Sequence, residues 1–367
     1  MGKKKVLFIT WSFSMGGGAE KILENISKEL SNEYDIDILE INHHDAVCSD
    51  DENINVLEPV FKNLENTSIF KNIKWKLFLL FPKFFRNRIT RKKYDYEIAF
   101  NYLYPVYLLS DDVKTISWNH GTIYNLQNHK ISRIRQGKKL KSVNKIIAIS
   151  EKTEESIKEI YPEYKKKIEL VYNGYDFNNI NAKSLENAEI KFEEDSLIYI
   201  GRIEESKGIK RLLEVFKNVV EKIPDKKLYL LGKGDLEEYV SKFILDNQLE
   251  NNVFMLGYVK NPYPYIKKSS YVILLSEAEG FPTVLVESLA LGKGFISTPV
   301  GGTNELYNSQ KCGFVSDNNE EITNYIVEEL SKNKENRIIK SEVCREHVDK
   351  FSLDKQIASI KKIIKEL

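Results

Sequence analysis

With 367 residues, 42% of them hydrophobic and a net charge of +1, the chain is too long for one ordinary core and too evenly charged for a nucleic-acid binder. Three cysteines, Cys48, Cys312 and Cys344, are too few and too scattered for a disulfide framework or a zinc site, which suits a reducing cytoplasm. No apolar run nears the ~20 residues of a membrane span, and Leu77–Phe81 stops at Pro82.

Strand and helix patterns alternate along the chain. Val6–Thr10 reads as a first strand rather than a signal peptide, because the run is short and an amphipathic pattern (Ile22, Leu23, Ile26, Leu30) follows it. Between them lies Gly16-Gly17-Gly18, where a residue without Cβ lets backbone approach a phosphate or an acceptor. It lacks the spacing of a dinucleotide fingerprint. Further strands are expected at Ile36–Ile41, Tyr96–Phe100, Thr115–Trp118, Ile146–Ile149 and Ile168–Tyr172. The Asp35-x-Asp37 pair has no third carboxylate or His beside it, and we read it as a coincidence of the strand edge rather than a metal site.

After Asn173-Gly174 a polar stretch to about Glu194 reads as an interdomain hinge. The same grammar then restarts. Leu197–Ile200, Leu228–Leu231, Val253–Leu256, Val272–Leu275 and Phe295–Ser297 are expected strands, and Ile209, Leu212, Leu213, Phe216, Val219 and Val220 mark one helix face. Short apolar strands alternating with helices imply parallel sheets covered on both faces. The expectation is an α/β protein of two doubly wound, Rossmann-like domains, residues 1–178 and 179–351, facing across a cleft. A last helix over 352–367 is expected to pack back on the first domain. Residues 1–178 carry 28 Lys/Arg against 24 Asp/Glu and residues 179–367 carry 27 against 30, so the halves differ in sign.

Two motifs carry chemistry. Gly201-Arg202-Ile203-Glu204-Glu205-Ser206-Lys207-Gly208 follows a strand and opens a helix, offering a guanidinium fork and an ammonium to phosphate oxygens. Glu279-Gly280-Phe281-Pro282-Thr283-Val284-Leu285-Val286-Glu287 places two carboxylates around a turn and a helix start, where free N–H groups suit phosphate.

Together these motifs resemble the donor site of glycosyltransferase family 4 (the group 1 type), retaining enzymes of the GT-B fold, and the wording of the second is similar to surface-polysaccharide assembly enzymes. The resemblance implies a retaining transfer of a hexose or N-acetylhexosamine from a UDP-sugar, without metal or other cofactor. It implies that Arg202 and Lys207 stabilise the departing diphosphate, that Glu279 and His120 (in Trp118-Asn119-His120-Gly121) hold the hexose from opposite domains, and that Glu287 accepts the ribose hydroxyls. Gly17, Gly18, Gly201, Gly232, Gly234, Tyr258, Val259, Gly280, Phe281, Pro282, Thr283, Val284 and Leu285 are expected to line the donor. No enzymic nucleophile stands out, so same-face attack with the leaving phosphate as base is the expected course. The implied acceptor is a saccharide carried on polyprenyl diphosphate in cell-surface polysaccharide (capsule) synthesis. A non-catalytic chaperone-like subunit and a sugar-nucleotide epimerase are the alternative readings.

From Lys71 to Lys93 there are nine Lys/Arg, five aromatics and no acid, and from Lys130 to Lys145 seven more Lys/Arg. Such stretches read as interfacial elements drawn to an anionic membrane, which would set a cytoplasmic protein peripherally on the inner face of the cell membrane. A solvated face with its aromatics turned inward is the competing reading, and no nucleic-acid partner is expected.

Overall fold

A computed structural model describes residues 2–15, 18–44, 54–64, 69–101, 104–188, 192–193, 195–307, 311–333 and 341–367. The chain divides into two compact units: residues 1–174 with 353–367, and residues 175–352.

Unit 1 holds strands β1 (Lys4–Thr10), β2 (Tyr34–Glu40), β3 (Asn42–His43), β4 (Ile54–Val56), β5 (Phe61–Lys62), β6 (Tyr96–Phe100), β7 (Lys114–Asn119), β8 (Lys145–Ala148) and β9 (Ile168–Leu170). Seven form one sheet in the order β4-β2-β1-β6-β7-β8-β9, and its pairings are parallel. The central strands are apolar on both faces (Val6 to Ile9 are fully buried), as a sheet covered on both sides demands. Its helices are α1 (Gly18–Leu30), α2 (Ile69–Leu80), α3 (Pro82–Ile89), α4 (Lys130–Leu140) and α5 (Glu151–Ile160). Ser150 caps α5 by accepting the Thr153 N–H.

Unit 2 begins with α6 (Phe177–Lys183) and continues with β10 (Leu197–Ile200), α7 (Ile209–Lys222), β11 (Leu228–Leu231), α8 (Glu237–Asp246), β12 (Val253–Gly257), α9 (Tyr263–Lys268), β13 (Tyr271–Leu274), α10 (Thr283–Ala290), β14 (Gly294–Ser297), α11 (Thr303–Tyr307), β15 (Gly313–Val315), α12 (Asn319–Ser331) and α13 (Ser341–Val348). Its sheet runs β12-β11-β10-β13-β14-β15 in parallel, so strand order reverses between β10 and β13. Helix α14 (Leu353–Glu366) returns to unit 1, with Ile357, Ile360, Ile363 and Ile364 buried and Lys361 paired to Glu33 at 2.6 Å.

Several expectations change. The polar stretch read as a hinge contains α6, started by the Asp176 carboxylate accepting from Asn179 N–H at 2.9 Å. On α7 it is Val215 that joins the buried face, while Val220 stays half-exposed. Asp37 is neither idle nor exposed. Tyr94 donates to it at 2.6 Å, with Lys92 and Asn55 close by. Burial pushes its carboxyl up, but those hydrogen bonds outweigh it and hold it below the ordinary value. Arg86, counted among the surface cations, is buried against Glu97 and the hydroxyl of Ser110. Of the five aromatics in that stretch, Phe78 is fully buried and Trp75 and Phe85 pack on the core, whereas Phe81 and Phe84 are 61% and 63% exposed. Cys312 and Cys344 meet in space: each thiol lies beside the backbone preceding the other, at Val343 O (3.8 Å) and Lys311 O (4.0 Å). Cys48 lies outside the described residues. No helix among the described residues is long and apolar enough to cross a membrane.

Candidate functional site

Ligands of doubly wound sheets bind beyond the carboxyl ends of the strands, where strand order reverses. In unit 2 that place is the crevice between β10 and β13, and the two sequence motifs are the loops that follow these strands.

The backbone nests the loops together. Gly232 has φ +145, and a Cβ there would lie 1.8 Å from the Gly201 carbonyl oxygen, so only glycine lets the β11 loop close on the β10 loop. Gly208 has φ +65, and a Cβ would meet Leu275 O at 1.9 Å. Glu277 N–H donates to Ser206 O at 3.0 Å, tying the same turn to the end of β13. This close approach delivers Lys207 to the second motif: its Nζ donates to Glu279 Oε1 at 2.8 Å, and Ser276 Oγ donates to the same oxygen at 2.8 Å. The two residues to which separate partners were assigned are therefore ion-paired, 72 positions apart in sequence and largely shielded from solvent. Arg202 differs. Its guanidinium is 70% exposed and pairs with Glu204 at 2.9 Å. Its carbonyl is pinned by the Tyr199 hydroxyl at 2.7 Å, so the backbone is fixed while the side chain can swing.

At the ends of β10, β11 and β12 lies a cavity of about 310 Å³ whose walls include Gly201, Arg202, Gly232, Lys233, Tyr258 and Val259. Lys233 adds a cation that the sequence reading passed over between its two glycines. Gly234 does not line this cavity; its N–H is taken by Glu237 Oε1 at 2.8 Å.

The turn after Glu279 is mixed in its duties. Gly280 is half-buried, whereas Phe281 is buried and packs on Phe351 with ring centroids 5.2 Å apart, so its side chain serves the core. Pro282 precedes α10, and Thr283 and Val284 open it half-exposed. Leu285 departs from expectation: its side chain is fully buried and its N–H closes a turn on Pro282 O at 3.1 Å, so it is not turned to a ligand. One turn on, Glu287 accepts the Tyr263 hydroxyl at 3.0 Å. Burial pushes its carboxyl up to about 7, with the Tyr263 hydrogen bond working the other way. Tyr263, on α9, gave no signal in the sequence.

In unit 1, His120 directly follows β7, with its ring 4.2 Å from Phe100 and 6.1 Å from Trp118. Its Nε2 is buried without a hydrogen-bond partner among the described residues, and burial pushes its pKa down to about 3, so the ring is neutral at physiological pH. Gly18 is exposed at the start of α1, and Gly17 lies outside the described residues. The loop before them is held by Glu40, whose Oε2 accepts from Phe13 N–H (2.9 Å), Ser14 N–H (3.1 Å) and Ser14 Oγ (2.9 Å), a support not anticipated from sequence.

Comparison with known proteins bears on the family and the fold. Residues 181–346 match the model of glycosyl transferases group 1, and residues 16–179 match that of glycosyltransferase family 4. An uncharacterized glycosyltransferase of Methanocaldococcus jannaschii is 30% identical over 212 residues, 53% of this chain and 50% of the relative. The N-acetylgalactosamine-N,N'-diacetylbacillosaminyl-diphospho-undecaprenol 4-alpha-N-acetylgalactosaminyltransferase of Campylobacter jejuni is 32% identical over 151 residues, 41% of this chain and 40% of that one. The match thus spans half or less of these two curated relatives. Anabaena Alr3699/HepE, solved with UDP and glucose, shares 19% identity, covers 99% of this chain and 100% of its own, and superposes with a TM-score of 0.77, a likeness of fold. With two Rossmann-like units of the GT-B kind and family models that together run from residue 16 to 346, the chain belongs to the group 1 type of glycosyltransferases, family 4.

Proposed function

We propose that the chain transfers a hexose or N-acetylhexosamine, with retention and without a metal, from a UDP-sugar to a saccharide carried on polyprenyl diphosphate, in cell-surface polysaccharide synthesis. The observation that carries this reading is the Lys207–Glu279 pair set at the strand-order reversal, with a cavity walled by Arg202 and Lys233 at the ends of β10 and its neighbouring strands. Unit 2 would bind the nucleotide sugar and unit 1 the acceptor. The Campylobacter relative's name, which joins a sugar transfer to a diphospho-undecaprenol acceptor, supports that choice of acceptor class, and the Anabaena protein's complex with UDP supports a uridine donor. A lipid-borne acceptor would place the enzyme on the cytoplasmic face of the cell membrane.

The chemistry asked of these residues is modest. The bond from the sugar C1 to the β-phosphate oxygen breaks, the acceptor oxygen takes C1 on the same face, and the acceptor proton passes to the leaving phosphate. Negative charge builds on the leaving phosphate oxygen in the transition state, ahead of the proton, and fixed cations aimed at it lower that barrier. In the unliganded protein Glu279 keeps Lys207 oriented. An arriving diphosphate shares the ammonium, while Glu279 turns its acceptor capacity to the hydroxyls of the hexose. Arg202 is free to swing onto the phosphates because solvent already surrounds it. His120, held neutral by burial, would meet the sugar as an uncharged hydrogen-bonding group, and Glu287 would take the ribose hydroxyls.

UDP release, measured over a panel of UDP-sugars with a polyprenyl-diphosphate-linked acceptor, tests the reading. Lys207→Ala is expected to lower kcat by about 10²–10³, the usual loss for one transition-state donor. Unchanged turnover in that variant removes Lys207 from the reaction. Product formed without acceptor identifies an epimerase instead, and nucleotide binding with no turnover of any donor identifies a binding subunit.

A further inference from the structure

Helix α2 carries large apolar side chains on its exposed side, among Asn72, Lys74 and Lys76, as well as on its packed side, which a helix facing water ordinarily does not. One side, with Phe78, Trp75 and Leu79, packs into the core of unit 1. The other exposes Ile73, Leu77 and Leu80, and the stripe continues through Phe81 and Phe84 into α3. On α4, Ile131 is 84% exposed and Ile134 stands exposed beside it. An open groove of about 730 Å³ runs between α3 and α4, walled by Leu80, Phe81, Phe84 and Tyr107 on its apolar side and by Arg135 and Lys138 on its basic side. Its remaining cations, Lys83 and Lys139, are already matched by Asp111. Arg135 lies over the Tyr107 ring at 4.6 Å, and the described residues give neither Arg135 nor Lys138 a carboxylate.

We infer that this face of unit 1 docks on an anionic phospholipid leaflet, and that the groove takes one lipid, its acyl chain along Leu80, Phe81 and Phe84 and its phosphate at Arg135 and Lys138. Charge selects the occupant. The two stretches that build the face, 71–93 and 130–145, hold sixteen Lys/Arg and no acid. Lys83, Arg86, Lys92, Lys139 and Lys145 have carboxylate partners from elsewhere in unit 1, but the rest leave an excess of positive charge, so a second copy laid on the first would set like charges together. Exposed aromatics and leucines beside basic side chains match the boundary between headgroups and acyl chains. The inference deepens the reading of a lipid-borne acceptor and rests on it for its purpose, but its test involves neither donor nor acceptor, so failure here leaves the donor site as argued.

The test is flotation of the full chain with vesicles of phosphatidylcholine alone or mixed with phosphatidylglycerol. Binding is expected to the mixed vesicles only. Phe81→Ser with Phe84→Ser should weaken it at least about tenfold, since both rings leave the acyl boundary. Arg135→Gln with Lys138→Gln should cost about fivefold per charge. Phe81, Phe84 and Lys138 are solvent-facing, and Arg135 gives up only its stacking on Tyr107, so the unfolding midpoint should move little, and that measurement accompanies each variant. Equal binding to neutral vesicles, or variants that float like the parent, overturns the proposal. So does release by excess inorganic phosphate at constant ionic strength, which would mean a phosphate pocket. A dimer in solution that the Phe substitutions dissociate also overturns it.

Discussion

Glu287 should give donor binding a pH dependence of its own. Burial raises its carboxyl from 4.5 to about 7, yet accepting two ribose hydroxyls requires the ionised form. Below pH 7 each unit adds about 1.4 kcal/mol of deprotonation cost. The dissociation constant of a UDP-hexose, which has no proton to lose in this range, should be about tenfold weaker at pH 6 than on the plateau above pH 8. Glu287→Gln keeps the Tyr263 contact but cannot ionise, so its affinity should be flat with pH and weaker than the parent's at pH 8 by about 1.5–3 kcal/mol, the worth of hydrogen bonds to a charged group. Stability should move the opposite way. The folded pKa is raised, so the unliganded protein holds its proton where the unfolded chain has lost it. This contribution is fully present below about pH 4.5 and declines as pH rises through about 7, by at most about 3 kcal/mol. Titration calorimetry from pH 6 to 8 and urea unfolding at pH 5 and 8 measure the two slopes. If the parent binds UDP-hexose equally across that range, or the Gln variant keeps the same slope, Glu287 does not hold the ribose.

Two further substitutions separate site from scaffold. Gly208→Ala forces φ +65 on a residue with a Cβ and drives that Cβ to 1.9 Å from Leu275 O; the backbone conformation alone costs about 1–2 kcal/mol. The turn carrying Lys207 must shift, so KM for the donor should rise along with a lowered unfolding midpoint, and an unaltered KM would show that Lys207 does not depend on this approach. Glu97→Ala leaves the Arg86 guanidinium buried without its carboxylate and should destabilise unit 1 by about 3–5 kcal/mol in denaturant unfolding. UDP affinity should persist in that variant, because every residue walling the cavity lies in unit 2.

The sheets were legible because buried parallel strands are continuous apolar runs. Tyr96–Phe100, Leu197–Ile200 and Leu228–Leu231 fall where the pattern puts them. The strands that escaped, Asn42–His43, Ile54–Val56, Phe61–Lys62 and Gly313–Val315, are two or three residues long and leave no period to read. Helix α6 escaped because its turns, Phe177–Lys183, are rich in Asn, a residue that favours loops until an N-cap such as Asp176 commits it. At the site, the motifs announced Arg202, Lys207, Glu279 and Glu287 as residue types. Spacing along a chain says nothing of pairing across 72 positions, so the Lys207–Glu279 contact needed the fold. Tyr263 and Ser276 act through one hydroxyl each, and such groups are common enough that no pattern marks them. The basic, aromatic stretch misled in part for a physical reason: α2, α3 and the residue between them are divided between core and surface, with Phe78 and Arg86 committed inward and Phe81 and Phe84 outward.

Helix α14 joins residues 353–367 to a body otherwise made from residues 1–174, so the intervening unit is, in chain terms, an insertion. As the polypeptide leaves the ribosome, the inserted body has all its strands and helices in hand before the first body receives the isoleucines of its closing helix. The half translated second can therefore finish folding first, while the earlier half waits with the groove under that helix uncovered. A released chain truncated after residue 352 should have an inserted body that resists protease and a leading body that does not.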